Sequence, residues 1–129
     1  MMINWLSTSL IKIIHKEQIN EHGGLQGTRD NNLLESALMR PQNLHFYQNI
    51  TDIAILGSTY TFAIVRNHPF IDGNKRTGFV AGVTFLLLNG YQFSCDNQEV
   101  VITIKKLASG SLSEKDLQHW FITWSNLDY

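Results

Sequence analysis

Two stretches near the middle of the chain constrain the fold more than anything else in it. From Thr51, which can cap a helix, to about Asn67, the residues Ile53, Leu56, Tyr60 and Ile64 recur at helical spacing while Ile55, Phe62 and Val65 occupy other faces. From Phe79 to Leu88 the pattern repeats: Phe79, Val83, Leu86 and Leu87 form one stripe, and Val80, Ala81, Phe85 and Leu88 broaden it until Asn89-Gly90 stops it. A helix that is apolar nearly all round has to be covered nearly all round. These two segments therefore predict a pair of buried central helices, and the polar run between them, His68-Pro69-Phe70-Ile71-Asp72-Gly73-Asn74-Lys75-Arg76-Thr77-Gly78, becomes a loop held at one end of the core.

The remaining segments supply the cover. Leu6, Leu10, Ile13 and Ile14 share one face of a first amphipathic helix, which stops where Gly23 follows His22. Gly23-Gly24-Leu25-Gln26-Gly27 has neither a G-K-[ST] ending nor a preceding strand, so it reads as a turn rather than a phosphate loop. Asp30 to Asn32 supply capping side chains, with Asn32 three residues before Glu35, and Leu33, Leu34, Ala37 and Leu38 make a short apolar face that Pro41 is expected to end. The stretch 41–49, with His45, Phe46 and Tyr47 together, reads as an irregular, exposed functional segment. Asp96 and Glu99 form a capping box ahead of Val100, Val101, Ile104, Leu107 and Ala108, closed by Ser109-Gly110. A last helix starts near Ser113, its Leu117, Trp120, Phe121 and Trp124 spaced as a packing face. The class is all-α, in one domain over 1–129, with no internal repeat.

Composition excludes several functions. A formal net charge of −1, with 43% hydrophobic and 16% charged residues, gives the molecule no overall pull toward nucleic acid or an anionic membrane, so no nucleic acid and no membrane is expected as a partner. Cys95 is the sole cysteine, which forbids an internal disulfide and suits a reducing compartment. Met1 to Leu10 lacks the basic region and apolar run of a secretion signal, and the expected localisation is cytoplasmic.

The polar run carries the chemistry. Imidazole titrates nearest neutral pH of all side chains, so His68 is a candidate to take the proton of an incoming hydroxyl; alone, it would be an ordinary helix-terminal histidine. Phe70 reads as an anchor driven into the core. Asp72 offers a hard oxygen ligand, and Mg²⁺ takes one or two carboxylates and fills its other positions with phosphate and water. Gly73 and Asn74 open the next helix, whose free N–H groups favour an anion. Lys75 and Arg76 stand where cations oppose the helix dipole, so local helix stability does not explain them, whereas a bound polyphosphate does. Arg66 either joins this positive mouth or ends its own helix. His15, His22, His45 and His119 lack the pairing of zinc ligands, and Cys95 has no cationic neighbour in sequence to activate it.

The order H-x-F-x-D-G-N-K-R resembles the signature of the Fic/Doc family and, within it, of the Doc (death-on-curing) toxins; the likeness extends to Gly23-Gly24-Leu25-Gln26-Gly27 and to Asn89-Gly90-Tyr91. The resemblance implies a Fic-fold helical bundle with two central helices flanking the motif loop, and allows a short flap hairpin before the first of them that would align the target's backbone. It implies His68 as catalytic base, Asp72 as Mg²⁺ ligand, and Gly73, Asn74, Lys75 and Arg76 as binders of ATP, the co-substrate, with Lys75 and Arg76 also serving catalysis. The nucleotidyl-transferring majority of the family continues G-N-G-R with a further arginine three residues later. Here Lys75 replaces the second glycine and Phe79 stands at the arginine's place. Both changes match Doc, which implies a protein serine/threonine kinase-type toxin of a type II toxin–antitoxin system, passing the γ-phosphate to a hydroxyl of a target protein, elongation factor Tu in the type member, and so inhibiting translation. A nucleotidyltransferase on the same fold and a non-catalytic helical binding module are the alternatives. The self-inhibitory pattern [ST]-x-x-x-E-[GN] occurs nowhere in the chain, which implies restraint by a cognate antitoxin acting in trans, through a disordered segment that folds on binding.

Overall fold

A computed structural model describes residues 2–128. Six helices, α1 (Thr8–His22), α2 (Asn31–Gln48), α3 (Ile53–Asn67), α4 (Asn74–Leu88), α5 (Asn97–Ser109) and α6 (Glu114–Trp124), account for most of it. A single antiparallel pair joins β1 (Tyr91–Phe93) to β2 (Ser125–Leu127), in register Tyr91↔Leu127, Gln92↔Asn126 and Phe93↔Ser125. The class is the expected all-α.

Helix α3 is the axis. Buried residues run from Ile53 to Val65 with only Ile55 and Phe62 partly open, and the helix packs against α2, α4, α5 and α6. Its buried hydroxyls do not go unpaired: Ser58 and Thr59 donate back to the Ile55 carbonyl at 2.7 and 2.9 Å, and Thr61 donates across to the Gly78 carbonyl of α4 at 2.7 Å. That crossing is possible because small residues face each other. A Cβ on Gly82 would lie 2.9 Å from the Gly57 carbonyl oxygen and against the Thr61 hydroxyl, so glycine there sets how closely the two central helices approach. Helix α4 buries Thr77, Gly78, Ala81, Gly82, Phe85 and Leu86, while Leu87, assigned by spacing to the inner stripe, and Leu88 are exposed.

Around the pair, several boundaries differ from expectation. Helix α1 turns Ile11, Ile14, His15 and Ile19 inward and leaves Ile13 exposed, because Leu6 is buried ahead of the helix rather than on it. The Leu6 N–H donates to the Tyr60 hydroxyl at 3.1 Å, and burial pushes that phenol up to about 12. Helix α2 is capped by Asp30, which accepts from Asn32 and Leu33 at 2.9 and 3.1 Å, so no Asn32–Glu35 box forms. Pro41 does not end α2 and the stretch 41–49 is not irregular: the helix runs through to Gln48, and no flap hairpin occurs there. Leu34, Ala37, Leu38 and Pro41 are all buried at helical spacing, so the proline ring continues the core-facing stripe and tertiary packing outweighs the one helix bond it cannot donate. Asp52 caps α3 in place of Thr51.

The last two helices start where expected. Asp96 accepts from Glu99 N–H at 3.0 Å, and Ser113 and Asp116 form a reciprocal capping box. Glu99 does not close its own box; its carboxylate accepts from Trp120 Nε1 at 2.8 Å and from the Cys95 thiol at 3.1 Å. The Trp120 bond, with that of Cys95, holds the carboxyl below its usual range, while burial and then Glu99 push the thiol up to about 11, so Cys95 is a packed thiol rather than a nucleophile. Among the described residues no helix is long and apolar enough to cross a membrane.

Candidate active site

The motif loop begins with a strained residue. Helix α3 ends at His68, which takes a left-handed conformation (φ 52, ψ 55) while its N–H still donates to the Ile64 carbonyl at 3.2 Å. For a residue with a Cβ this costs about 1–2 kcal/mol, and it turns the chain so that Pro69 and Phe70 go inward while the imidazole stays exposed.

The surroundings over-determine that turn. Asn74, buried at the first position of α4, accepts from Phe70 N–H at 2.9 Å, donates to the Phe70 carbonyl at 3.0 Å, and places Nδ2 3.2 Å from His68 Nδ1. One amide thus closes the loop and meets the imidazole on the edge opposite Nε2. From the other side the α1–α2 connection lies along the loop as a short antiparallel bridge, Thr28↔Phe70, with Ile71 N–H donating to Gly27 and the N–H groups of Arg29 and Asp30 to the Pro69 carbonyl. The Arg29 side chain donates to the carbonyls of His68 at 2.8 Å and Asn67 at 3.0 Å, placing a cation on the carboxyl end of α3.

Asp72 is exposed and held from both sides: one carboxylate oxygen accepts from Leu25 N–H at 3.2 Å and the other from Gly73 N–H at 2.9 Å. The Leu25 bond first and the Gly73 bond second, with Arg76 nearby, keep its carboxyl below the ordinary range, so it stays ionised. Gly24 is the counterpart of this contact; at φ 124 its missing Cβ would sit 2.7 Å from Asp72 Oδ2. The segment Gly23–Gly27 is therefore a turn, as expected, and also the clamp that orients the acid.

Beside Asp72 the helix α4 starts without a side-chain cap, Gly73 (φ 75) preceding it. Its first turn carries Lys75 and Arg76, both exposed and without an ion pair among the described residues. Such a bare, positively flanked helix start favours an anion. Asp72 fits a Mg²⁺ ion that draws most of its shell from phosphate and water: it is an exposed, ionised carboxylate, and the described residues hold no group of three acidic, His or Cys side chains that would cage a metal without a ligand. Arg66 is exposed, with its guanidinium 5.4 Å from the centre of the Phe62 ring. Behind Lys75 and Arg76 a cavity of about 570 Å³ opens between α1, α4 and α5, with Phe79, Val80, Val101 and Ile104 on its apolar walls.

The residues singled out from the sequence, His68, Asp72, Gly73, Asn74, Lys75 and Arg76, thus stand around one loop. Sequence reasoning missed three that hold it: Arg29, Leu25 through its backbone, and His15, whose ring stacks on Phe70 and whose Nε2 lies 2.8 Å from the Asp72 carbonyl. His15 had a signal, since it lies four residues from both Ile11 and Ile19 on the inner face of α1.

Two central helices with a histidine-bearing loop between them, wrapped by further helices, make this an all-α Fic fold. The family model described as Fic/DOC family matches residues 5–86, and the chain belongs to that family. It is 35% identical over 100 residues to "Protein kinase doc" of Escherichia phage P1, covering 78% of this chain and 79% of that protein. It is also 38% identical over 78 residues to "Toxin Doc" of Mycolicibacterium smegmatis, covering 57% of this chain and 58% of that one.

Proposed function

We propose that this Doc-like protein is the toxin of a type II toxin–antitoxin pair and a kinase-type phosphotransferase, passing the γ-phosphate of ATP to a hydroxyl of a target protein, for which elongation factor Tu is the first candidate. The observation that carries the reading is the exposed imidazole of His68, backed by Asn74, standing on the same loop as the ionised Asp72 and the uncapped, cation-flanked start of α4.

Each residue has a task. His68 is the acceptor for the target hydroxyl's proton, and Asn74 Nδ2, 3.2 Å from its Nδ1, sets the position of the ring. The hydroxyl oxygen bonds to the γ-phosphorus, the bond from that phosphorus to the β–γ bridging oxygen breaks, and ADP leaves with the electron pair. The N–H groups at the start of α4 bind the polyphosphate, and Lys75 and Arg76 neutralise it and the charge that gathers on the transferring group. Asp72 would hold Mg²⁺, which supplies electrostatic stabilisation of phosphate oxygens when bound.

Two features favour γ-phosphate over nucleotidyl transfer. Lys75 puts a side chain where nucleotidyl-transferring relatives have a glycine. Phe79, at the place of their second arginine, packs in an aromatic cluster with Phe93 and Trp120 at centroid distances of 5.6 and 6.2 Å, so no cation clamps a triphosphate there. An antitoxin acting in trans is the proposed restraint, and the cavity between α1, α4 and α5, with apolar walls and Lys75, Arg76 and Lys105 at its edge, suits an acidic, amphipathic segment that orders on docking.

The test is transfer from ATP labelled on either the α- or the γ-phosphate, with Mg²⁺ and elongation factor Tu. Label arriving from the γ position, and lost in His68→Ala while nucleotide still binds, is the expected result. Label from the α position alone makes the protein a nucleotidyltransferase; label from neither, together with no metal-dependent ATP binding, makes it a binding module.

A further inference from the structure

His15 is the one histidine buried in the molecule among the described residues, at 3% exposure, and the mechanism above gives it no task. It sits on α1 with both face and edge committed to the motif loop more than fifty residues away in sequence. Its ring lies 3.9 Å from that of Phe70 and within 6° of parallel, and its Nε2 is 2.8 Å from the backbone carbonyl oxygen of Asp72. A carbonyl only accepts, so Nε2 carries the proton and donates. A Cβ on Gly73 would come to 3.8 Å from the same nitrogen, so His15 borders residues 70, 72 and 73 together.

We infer that His15 is a positioning residue for Asp72, and this rests on the phosphate-handling role proposed for the loop. The Asp72 carboxylate is held by the N–H groups of Leu25 and Gly73, and the neighbouring Ile71 N–H is tied to the Gly27 carbonyl. Those two bonds set where the carboxylate oxygens lie only if the Asp72 backbone is itself fixed. The bond from His15 to the Asp72 carbonyl fixes it at its own peptide, beyond the Ile71 bond to Gly27 one residue earlier. The Phe70 stack sets the ring's plane, and therefore the direction in which Nε2–H points. A purely packing residue at this position needs the ring and no donor, and that distinction makes the inference testable. The hydrogen bond of His15 goes to the Asp72 backbone and its ring stacks on Phe70, so it acts through Asp72 rather than on a ligand.

The experiment compares His15→Phe, which keeps a flat ring against Phe70 and loses the donor, with His15→Gln, which keeps an N–H at the reach of Nε2. Three readouts are taken: amide hydrogen exchange at Leu25 and Gly73, affinity for Mg²⁺ with a non-hydrolysable ATP analogue, and KM against kcat for transfer. Expected for His15→Phe are exchange at both amides faster by about tenfold and metal–nucleotide affinity weaker by about 10–100-fold, the size seen when the support of a ligand is removed, with KM rising more than kcat falls. In His15→Gln both the protection and the affinity return to within about threefold of wild type. Wild-type exchange and affinity in His15→Phe, or equal losses in the two variants, would overturn the inference. If His15→Phe does not fold, ¹⁵N spectra of the wild type decide instead: a slowly exchanging proton on His15 Nε2 is required, and a bare Nε2 refutes it. The exchange and spectroscopic readouts need no transfer reaction, so they separate a failure of this inference from a failure of the kinase reading.

Discussion

Asn74 is where stability and chemistry meet most tightly, and its replacement by alanine tests both. The Phe70 peptide lies in the buried part of the loop, and the bridge to Thr28 uses the groups of Pro69 and Ile71, leaving the N–H and C=O of Phe70 to the Asn74 amide alone. Removing the amide orphans one buried donor and one buried acceptor, each costing about 1–3 kcal/mol. The carbonyl, with its second lone pair, falls toward the lower end, so the expected loss is about 3 kcal/mol out of the roughly 5–15 kcal/mol typical of a domain. Urea unfolding of Asn74→Ala should show a lower midpoint at unchanged slope. Asn74→Asp keeps the acceptor for Phe70 N–H but sets a carboxylate oxygen against the Phe70 carbonyl and His68 Nδ1, so it should be no more stable than alanine despite its shape. In Asn74→Ala transfer should fall further than stability alone explains, because His68 loses the group that positions its ring. A loss below about 1 kcal/mol for Asn74→Ala would mean that water reaches the Phe70 peptide, and the account of the loop as closed by one side chain would be refuted.

Two further outcomes follow from the geometry. Gly82→Ala should lower the melting temperature although alanine is the better helix former by about 1 kcal/mol, because the added methyl meets the Gly57 carbonyl at 2.9 Å and the Thr61 hydroxyl, and overpacking costs about 1–3 kcal/mol; an unchanged or raised melting temperature would show that the α3–α4 spacing is adjustable. The Asp72 carboxyl is lowered in the folded protein, so its contribution to stability is fully present above its unfolded value of about 3.9 and is lost as pH falls through the folded value. Asp72→Asn should therefore flatten the acid limb of the unfolding profile below about pH 4, and an acid limb identical to wild type would remove the Leu25 and Gly73 bonds from the account.

Much of the fold was legible because it follows from local pattern. The apolar helix α3, the stop of α4 at Asn89-Gly90, and the Asp96 and Ser113 caps depend on residues within a few positions of one another, and the structure keeps these, while the stripe expected on α4 loses Leu87 to solvent. The end of α2 was not legible in the same way. Pro41 is a helix breaker by its own chemistry, and only the three-dimensional neighbourhood that buries it with Leu34, Ala37 and Leu38 reverses that. The site divides likewise. Residues 68–76 announce their polarity in one run, whereas Leu25 acts through a backbone N–H that carries no side-chain signature, and His15 and Arg29 act across separations that periodicity does not see.

The clamp laid over the loop by the α1–α2 connection bears on protein engineering. The run from His68 to Gly78 looks like a cassette that could be grafted between two helices of another bundle. Transplanted alone it would leave behind the Gly27 carbonyl, the Arg29 guanidinium, the Leu25 amide and the buried ring of His15. The left-handed turn at His68 would then have to be held by Asn74 unaided, and the acid would be free to swing. The smallest transferable unit is two pieces of chain, the inner face of α1 with the segment through Asp30, and the motif with the starts of its flanking helices, kept in antiparallel register at Thr28 and Phe70.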